Sequence, residues 1–327
     1  MTDILEAVRP ALTHVPLSAT PLPPLDWNVR PLPGEHVRIG KHVLHVRHTP
    51  GNTAVTAVYI HGLGGSSTNW TDLSTQLAGQ ADGYAPDLPG FGRSEPVAGY
   101  GFSMVEHART VIAYLEHLDR GPVHLVGNSM GGTVALIVAA VRPDLVRTLA
   151  LVSPAVPDLR PSFRRVSDPR LPFTVLPFVG KSFQRRLDAL GDRVRTEQIM
   201  RLCFADPTSV PEHRVVESME EAAELGRQPW TNLALNGSTL SLFRTWIASG
   251  GRSMWRLAPL VEAPSLVVWG AEDRLISVRK APRIARLLPR GRLLVLPKTG
   301  HVAQMERPVS VARGVLGMWE AVGRQEW

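Results

Sequence analysis

One stretch limits the possible folds of this 327-residue chain more than any other, residues 123–140, VHLVGNSMGGTVALIVAA. A short apolar strand signal at 123–126 runs into the turn Gly127-Asn128-Ser129-Met130-Gly131-Gly132, and an apolar helix signal follows at once. A G-x-S-x-G sequence between a strand and a helix describes a turn so tight that its serine takes strained backbone angles. The residues two positions to either side must then be nearly free of side chain, and Gly127 and Gly131 fill those places. Ser129 stands at the tip, with the helix N-terminus, the Met130 amide in particular, turned toward any negative charge that develops there.

The rest of the chain supplies the setting for such a turn. Residues 55–60 read as a buried strand ending in His61-Gly62-Leu63-Gly64-Gly65, and a helix follows over 69–78. A short strand at 84–87 enters Asp87-Leu88-Pro89-Gly90-Phe91-Gly92-Arg93-Ser94, a loop of turn formers. Ser103 and Glu106 form a capping box for a helix reaching Leu118. After the serine stretch comes another apolar strand, 148–152. Strands that are apolar along their whole length and alternate with helices imply a parallel sheet covered on both faces.

The alternation stops at 153–260, where Pro-interrupted helical patterns cover 181–190, 193–204, 211–225 and 240–249. It resumes with a strand at 265–269, a helix at 278–288, a strand at 292–296 and a helix at 308–322. About a hundred helical residues between two strands of one sheet are best placed as a lid over the strands' carboxyl ends, where open α/β sheets bind ligands. The expected organisation is a Pro-rich N-terminal extension (1–34), a core made of 35–154 and 261–327, and a helical cap (155–260). The extension reads as extended chain after a short helix at 3–8, and 35–49 reads as a β-hairpin about Gly40-Lys41.

Composition narrows the function classes. The net charge of +7 comes from basic residues scattered among acidic ones, which describes a solvated surface and not a nucleic-acid site. No apolar run is long enough to span a bilayer. Asp3, Glu6 and Arg9 interrupt the start of the chain, which does not read as a signal peptide, so a cytoplasmic protein without membrane insertion is expected. The single cysteine, Cys203, excludes an internal disulfide and a cysteine metal cluster, and reads as an apolar filler. His42, His45 and His48 lie three apart on a strand, which sends neighbours to opposite faces, so no metal site is expected. No nucleotide or metal motif occurs in the right context, and no cofactor is expected.

A serine hydroxyl needs a base to act as a nucleophile, usually a histidine oriented by a carboxylate. Later loops offer both. The strand at 266–269 ends in Gly270-Ala271-Glu272-Asp273-Arg274, and the strand at 293–296 in Pro297-Lys298-Thr299-Gly300-His301. The order Ser, Asp, His, together with the His61-Gly62 loop, the 87–94 loop and Gly300-His301, resembles the lid-bearing serine hydrolases of the α/β-hydrolase fold over residues 35–325. The resemblance implies that fold, with a mostly parallel central sheet, helices on both faces and a cap inserted after the strand ending near Val152. It implies Ser129 as nucleophile, His301 as base and Asp273 as acid, with Glu272 and the more distant Asp158 as alternative acids. It implies the backbone amides of Leu63 and Met130 as oxyanion donors, and His61 as a brace for the oxyanion loop beside Gly62, Gly127 and Gly131.

A serine at the turn points away from relatives that carry an aspartate there, the epoxide hydrolases and haloalkane dehalogenases. Hydrolysis of a carboxylic ester of a hydrophobic acyl substrate through an acyl-enzyme is the leading expectation. Gly127 to Gly132 and Gly300 to Glu306 are also similar to the meta-cleavage-product hydrolases, which cleave a carbon–carbon bond, so that reaction is the alternative. The resemblance associates those enzymes with a proline in the Gly-rich loop and a tryptophan after the histidine, where this chain has Gly64-Gly65 and Val302. A cofactor-free perhydrolase and a non-catalytic receptor are further alternatives. Oligomeric state is not readable from the sequence.

Overall fold

The computed structural model describes residues 14–157, 192–247 and 253–327. The expected helices at 3–8 and 181–190, and Asp158, lie outside those residues. The strands are β1 (Gly34–Ile39), β2 (His42–Thr49), β3 (Thr56–Ile60), β4 (Asp82–Pro86), β5 (Val123–Asn128), β6 (Val146–Val152), β7 (Ser265–Gly270) and β8 (Gly291–Leu296). They form one eight-stranded sheet in the order β1-β2-β4-β3-β5-β6-β7-β8. β1 and β2 are the expected hairpin, with Gly40 in the left-handed region at its turn. β2 runs antiparallel to β4, and every later pairing is parallel.

The central parallel strands β3, β5, β6 and β7 are largely apolar because both of their faces are covered. Val58 and Ile60 of β3, Leu149 and Leu151 of β6, and Val267 and Trp269 of β7 belong to one buried cluster, while Ala57, Tyr59, Ala150, Val152, Leu266 and Val268, the intervening residues, belong to the other. The period-two alternation of side chains thus splits the core into two layers. Helices α1 (Thr71–Leu77) and α10 (Pro308–Gly323) cover one layer. Helices α2 (Met104–Leu118), α3 (Met130–Val141) and α8 (Ala281–Leu287) cover the other. The predicted capping box is present at the start of α2, with Ser103 Oγ accepting from Glu106 N–H and the Glu106 carboxylate from Ser103 N–H.

Between β6 and β7 lie α4 (Asp192–Cys203), α5 (Glu212–Gly226), α6 (Thr231–Ile247) and the short α7 (Met254–Leu257). Helix α6 begins at Thr231, nine residues before the sequence-based start at 240. The run Asn236-Gly237-Ser238 reads as a helix breaker, yet Gly237 serves close packing: a Cβ there would lie 3.0 Å from the Cβ of Phe102. The insert meets the loops at the carboxyl ends of the strands, since Leu235 lies against Gly64 and Trp246 Nε1 donates to Ala155 O at 3.0 Å. Leu235, Leu242, Trp246 and Trp255 of the insert pack against the core.

The Pro-rich extension, from residue 14 on, crosses the body as extended chain. Arg292 donates to His14 O, Ser18 and Thr20 hydrogen-bond Glu320 of α10, and Arg214 of α5 donates to Trp27 O and Val29 O.

Candidate active site

The order of the sheet creates the site. β4 lies on one side of β3 and β5 on the other, so the chain leaving β3 and the chain leaving β5 diverge and open a crevice at their carboxyl ends. The loop after β3 begins with His61-Gly62-Leu63, and β5 ends at Asn128, so that Ser129 is the next residue.

Ser129 has φ 53° and ψ −116°, a backbone conformation a side-chain-bearing residue adopts only under constraint, costing of order 1–3 kcal/mol. The constraint is visible around it. A Cβ on Gly127 would sit 2.4 Å from Gly131 O, and one on Gly131 would sit 2.1 Å from Ile60 O. Backbone therefore touches backbone on both sides of the turn, which only glycine permits. Ser129 N–H donates to Val152 O at 3.0 Å, and Ser129 O accepts from Ala155 N–H at 2.9 Å and Thr133 N–H at 3.1 Å. The serine caps α3 without a hydrogen bond from its own hydroxyl. Its Oγ is not spent on the helix, whose first amides include that of Met130.

The loops after β7 and β8 supply the acid and the histidine. His301 Nδ1 lies 2.8 Å from Asp273 Oδ2, with both side chains buried. Asp273 Oδ1 accepts from Leu275 N–H at 2.8 Å and Ile276 N–H at 2.9 Å, which fixes the carboxylate. With Nδ1–H donated to Asp273, Nε2 carries the lone pair. Glu272 is exposed on the same loop. Asn128, next to Ser129, donates its side-chain amide to His301 O at 3.2 Å and to Val152 O at 3.0 Å, tying the serine strand to the histidine loop.

His61 is fully buried. Its Nε2 accepts from Leu88 N–H at 3.0 Å, so the proton sits on Nδ1, which donates to Gly62 O at 2.8 Å. Burial, opposed by Asp87, holds its pKa below the usual histidine value. The ring thus spans the loop after β3 and the loop after β4. Gly62 presses on the serine, for a Cβ there would lie 3.3 Å from Ser129 Cβ. That places the Gly62-Leu63 loop beside Ser129.

Asp87 is loop architecture. Burial alone would raise its pKa, but His45 at 2.8 Å, His61, and the N–H groups of Arg93 and Ser67 together lower it. His48 pairs with Asp82 at 2.8 Å, so two of the three spaced histidines serve separate carboxylates. Trp70 and Met130 are fully buried core side chains. Burial, with Asp273 nearby, pushes the Cys203 thiol up to about 12, in keeping with an apolar filler.

A cavity of about 480 Å³ opens between the extension, the core and α5, lined by Trp27, Arg47, Arg93, Arg214, Glu221 and Glu224 among others, and Ser129 is not in its wall. Several of its charges are paired with one another, as in Arg93–Glu224 and Arg214–Asp72. Sequence reasoning missed Asn128 as a link to His301 and missed the short helix α9 (Ala303–Glu306) behind the histidine. The only signal for Asn128 was its place beside the serine.

A mostly parallel α/β sheet with a strained serine at its switch point, and a bonded acid–histidine pair on the next loops, defines a hydrolase-type α/β protein. The chain belongs to the alpha/beta hydrolase fold family, whose model matches residues 58–308. It is 31% identical to the dihydrolipoyllysine-residue acetyltransferase component of the acetoin cleaving system of Pseudomonas putida, over 86% of this chain and 68% of that one. It is 27% identical to the 2-hydroxy-6-oxo-6-phenylhexa-2,4-dienoate hydrolase of Burkholderia cepacia, over 76% and 82% of the two chains. Among solved structures, a membrane phospholipase A described as a bacterial virulence factor shares the fold with a TM-score of 0.72 at 23% identity, over 90% of this chain and 87% of that one. Among the described residues, no helix is long and apolar enough to cross a membrane.

Proposed function

We propose that this chain is a serine hydrolase that cleaves carboxylic esters of hydrophobic acids, with Ser129, His301 and Asp273 as its triad and the 155–260 insert as its cap. The observation that carries the proposal is the 2.8 Å bond from His301 Nδ1 to Asp273 Oδ2, which leaves Nε2 as an acceptor. In the proposed reaction Nε2 takes the Ser129 proton as Oγ attacks the ester carbonyl. The resulting oxyanion accepts from the amides of Leu63 and Met130. Nε2–H then protonates the leaving alkoxide, and water, activated by the same nitrogen, releases the acid and restores the serine. Asp273 stabilises the imidazolium without becoming protonated.

Carbon–carbon cleavage of a vinylogous 1,5-diketone is the second reading, favoured by the similarity to the Burkholderia cepacia hydrolase. It uses the same oxyanion site but requires ketonisation of the substrate first. Against it, Val302 follows the histidine and is buried in an apolar cluster with Met200, Phe204 and Val215 of the insert. Side-by-side turnover of p-nitrophenyl butyrate and a 2-hydroxy-6-oxo-dienoate separates the two. Ester hydrolysis that Ser129→Ala abolishes supports the first reading, and turnover of the dienoate alone overturns it.

A further inference from the structure

Residues 201–206 of the insert meet the loops of the acid and the histidine through a set of hydrogen bonds. His301 N–H donates to Cys203 O at 2.7 Å. Beside it, the buried Glu306 carboxylate bridges the two sides. Its Oε2 accepts from Gly300 N–H at 2.6 Å, and its Oε1 from Ala205 N–H at 3.1 Å and Asp206 N–H at 3.2 Å. Arg274, the residue after Asp273, closes the other edge. Its Nη1 donates to Arg201 O at 2.5 Å and its Nη2 to Ala205 O at 3.2 Å.

The junction has no slack. A Cβ on Gly300 would lie 2.3 Å from Cys203 O and 2.7 Å from Ala205 N, and one on Gly270 would lie 2.0 Å from Gly300 O. Three backbone segments are therefore stacked at contact distance. Beside the backbone bond from His301 N–H to Cys203 O, two charged side chains add hydrogen bonds across the stack, and such bonds are roughly twice as strong as neutral ones. The carboxylate serves N–H groups on both sides of the seam, and the guanidinium serves carbonyls left without partners where α4 ends.

We propose that Glu306 and Arg274 are positioning residues that make segment 201–206 a wall of the acid–histidine pair, so that the seating of the insert sets the position of the His301 imidazole. The proposal rests on the triad reading above. Its consequence is that any movement of α4 is passed to the base through Cys203 O. A misplacement of about 1 Å at a reacting group can cost on the order of 100-fold in rate, so a loosened seam is expected to appear in kcat and to leave KM nearly unchanged.

The test uses purified Glu306→Gln and Arg274→Lys with p-nitrophenyl butyrate. It also uses proton NMR of the downfield His301 Nδ1–H resonance, assigned by its loss in His301→Ala. Glu306→Gln keeps the shape but turns an amide donor toward backbone donors. It is expected to lower kcat by about 10-fold or more with KM within about twofold, and to shift or broaden the resonance. Arg274→Lys keeps the charge but loses the fork, and is expected to lower kcat by about threefold in the same pattern. Unchanged kcat with an unmoved resonance, whatever the melting temperature, overturns the proposal. If Glu306→Gln does not fold, Arg274→Lys decides on the same two readouts. If the wild type hydrolyses no ester, the ester reading fails, and the resonance alone still decides whether the seam holds the imidazole.

Discussion

Gly62→Ala isolates the oxyanion loop from the rest of the fold. The added Cβ would sit 3.1 Å from Asn128 Oδ1 and 3.3 Å from Ser129 Cβ, so its neighbours must give by a few tenths of an ångström. Gly62 is not among the residues with positive φ, and the substitution brings no backbone strain. A Gly→Ala change at such a position gains about 0.4–1 kcal/mol through the unfolded chain, which roughly offsets the tight contact and leaves the fold intact. The displacement falls instead on the Leu63 amide. Oxyanion donors act over a window of about 2.7–3.1 Å, and complete loss of one costs about 2.7–4 kcal/mol. A shift of a few tenths forfeits part of that, about 1–2 kcal/mol, or roughly 5- to 30-fold in kcat. Steady-state hydrolysis of p-nitrophenyl butyrate, with thermal unfolding of the same preparation, measures both quantities. Wild-type kcat in a folded Gly62→Ala protein would refute the placement of the donor on this loop. Gly131→Ala is the contrast: its Cβ would lie 2.1 Å from the Ile60 carbonyl, where only backbone can yield, and little folded protein is expected.

Asp273→Asn is expected to lower kcat by about 10⁴-fold, because the acceptor that sets the imidazole tautomer is lost, whereas Glu272→Gln, on an exposed side chain, is expected to leave it unchanged; the reverse ranking in the ester assay would transfer the acid role to Glu272. Burial lowers His61, and lowers His107 and His124 to about 3. These rings stay neutral in the fold but take up protons when it unfolds. Stability present above about pH 6.5 is then lost as the pH falls below it, at up to about 1.4 kcal/mol per pH unit per histidine. Urea midpoints at pH 7.5 and 5.0 check this, and equal midpoints would contradict it. With its thiol pushed up to about 12, Cys203 is expected to resist iodoacetamide at pH 8 in the native protein and to react fully once unfolded, as mass spectrometry would show.

The parallel sheet was legible because strands buried on both faces are apolar at nearly every position, as at 57–60 of β3 and 266–269 of β7. The serine turn was legible because its sterics demand glycine at fixed spacing, a local constraint that leaves a local trace. Contacts between distant segments left weaker traces. The Asn128 amide bonded to His301 O is specified by a crossing of loops 173 residues apart. Glu306 looks like an ordinary helix residue until Ala205 is brought against it. The start of α6 was hidden for a related reason: Gly237 weakens the helix locally and is present because Phe102 packs there.

The measurement that bears most directly on the account is covalent labelling with a fluorophosphonate, followed by peptide mass spectrometry. The account predicts a single adduct on Ser129, formed in step with loss of esterase activity and absent in His301→Ala. An adduct on another residue, or full inhibition with Ser129 unmodified, would contradict it.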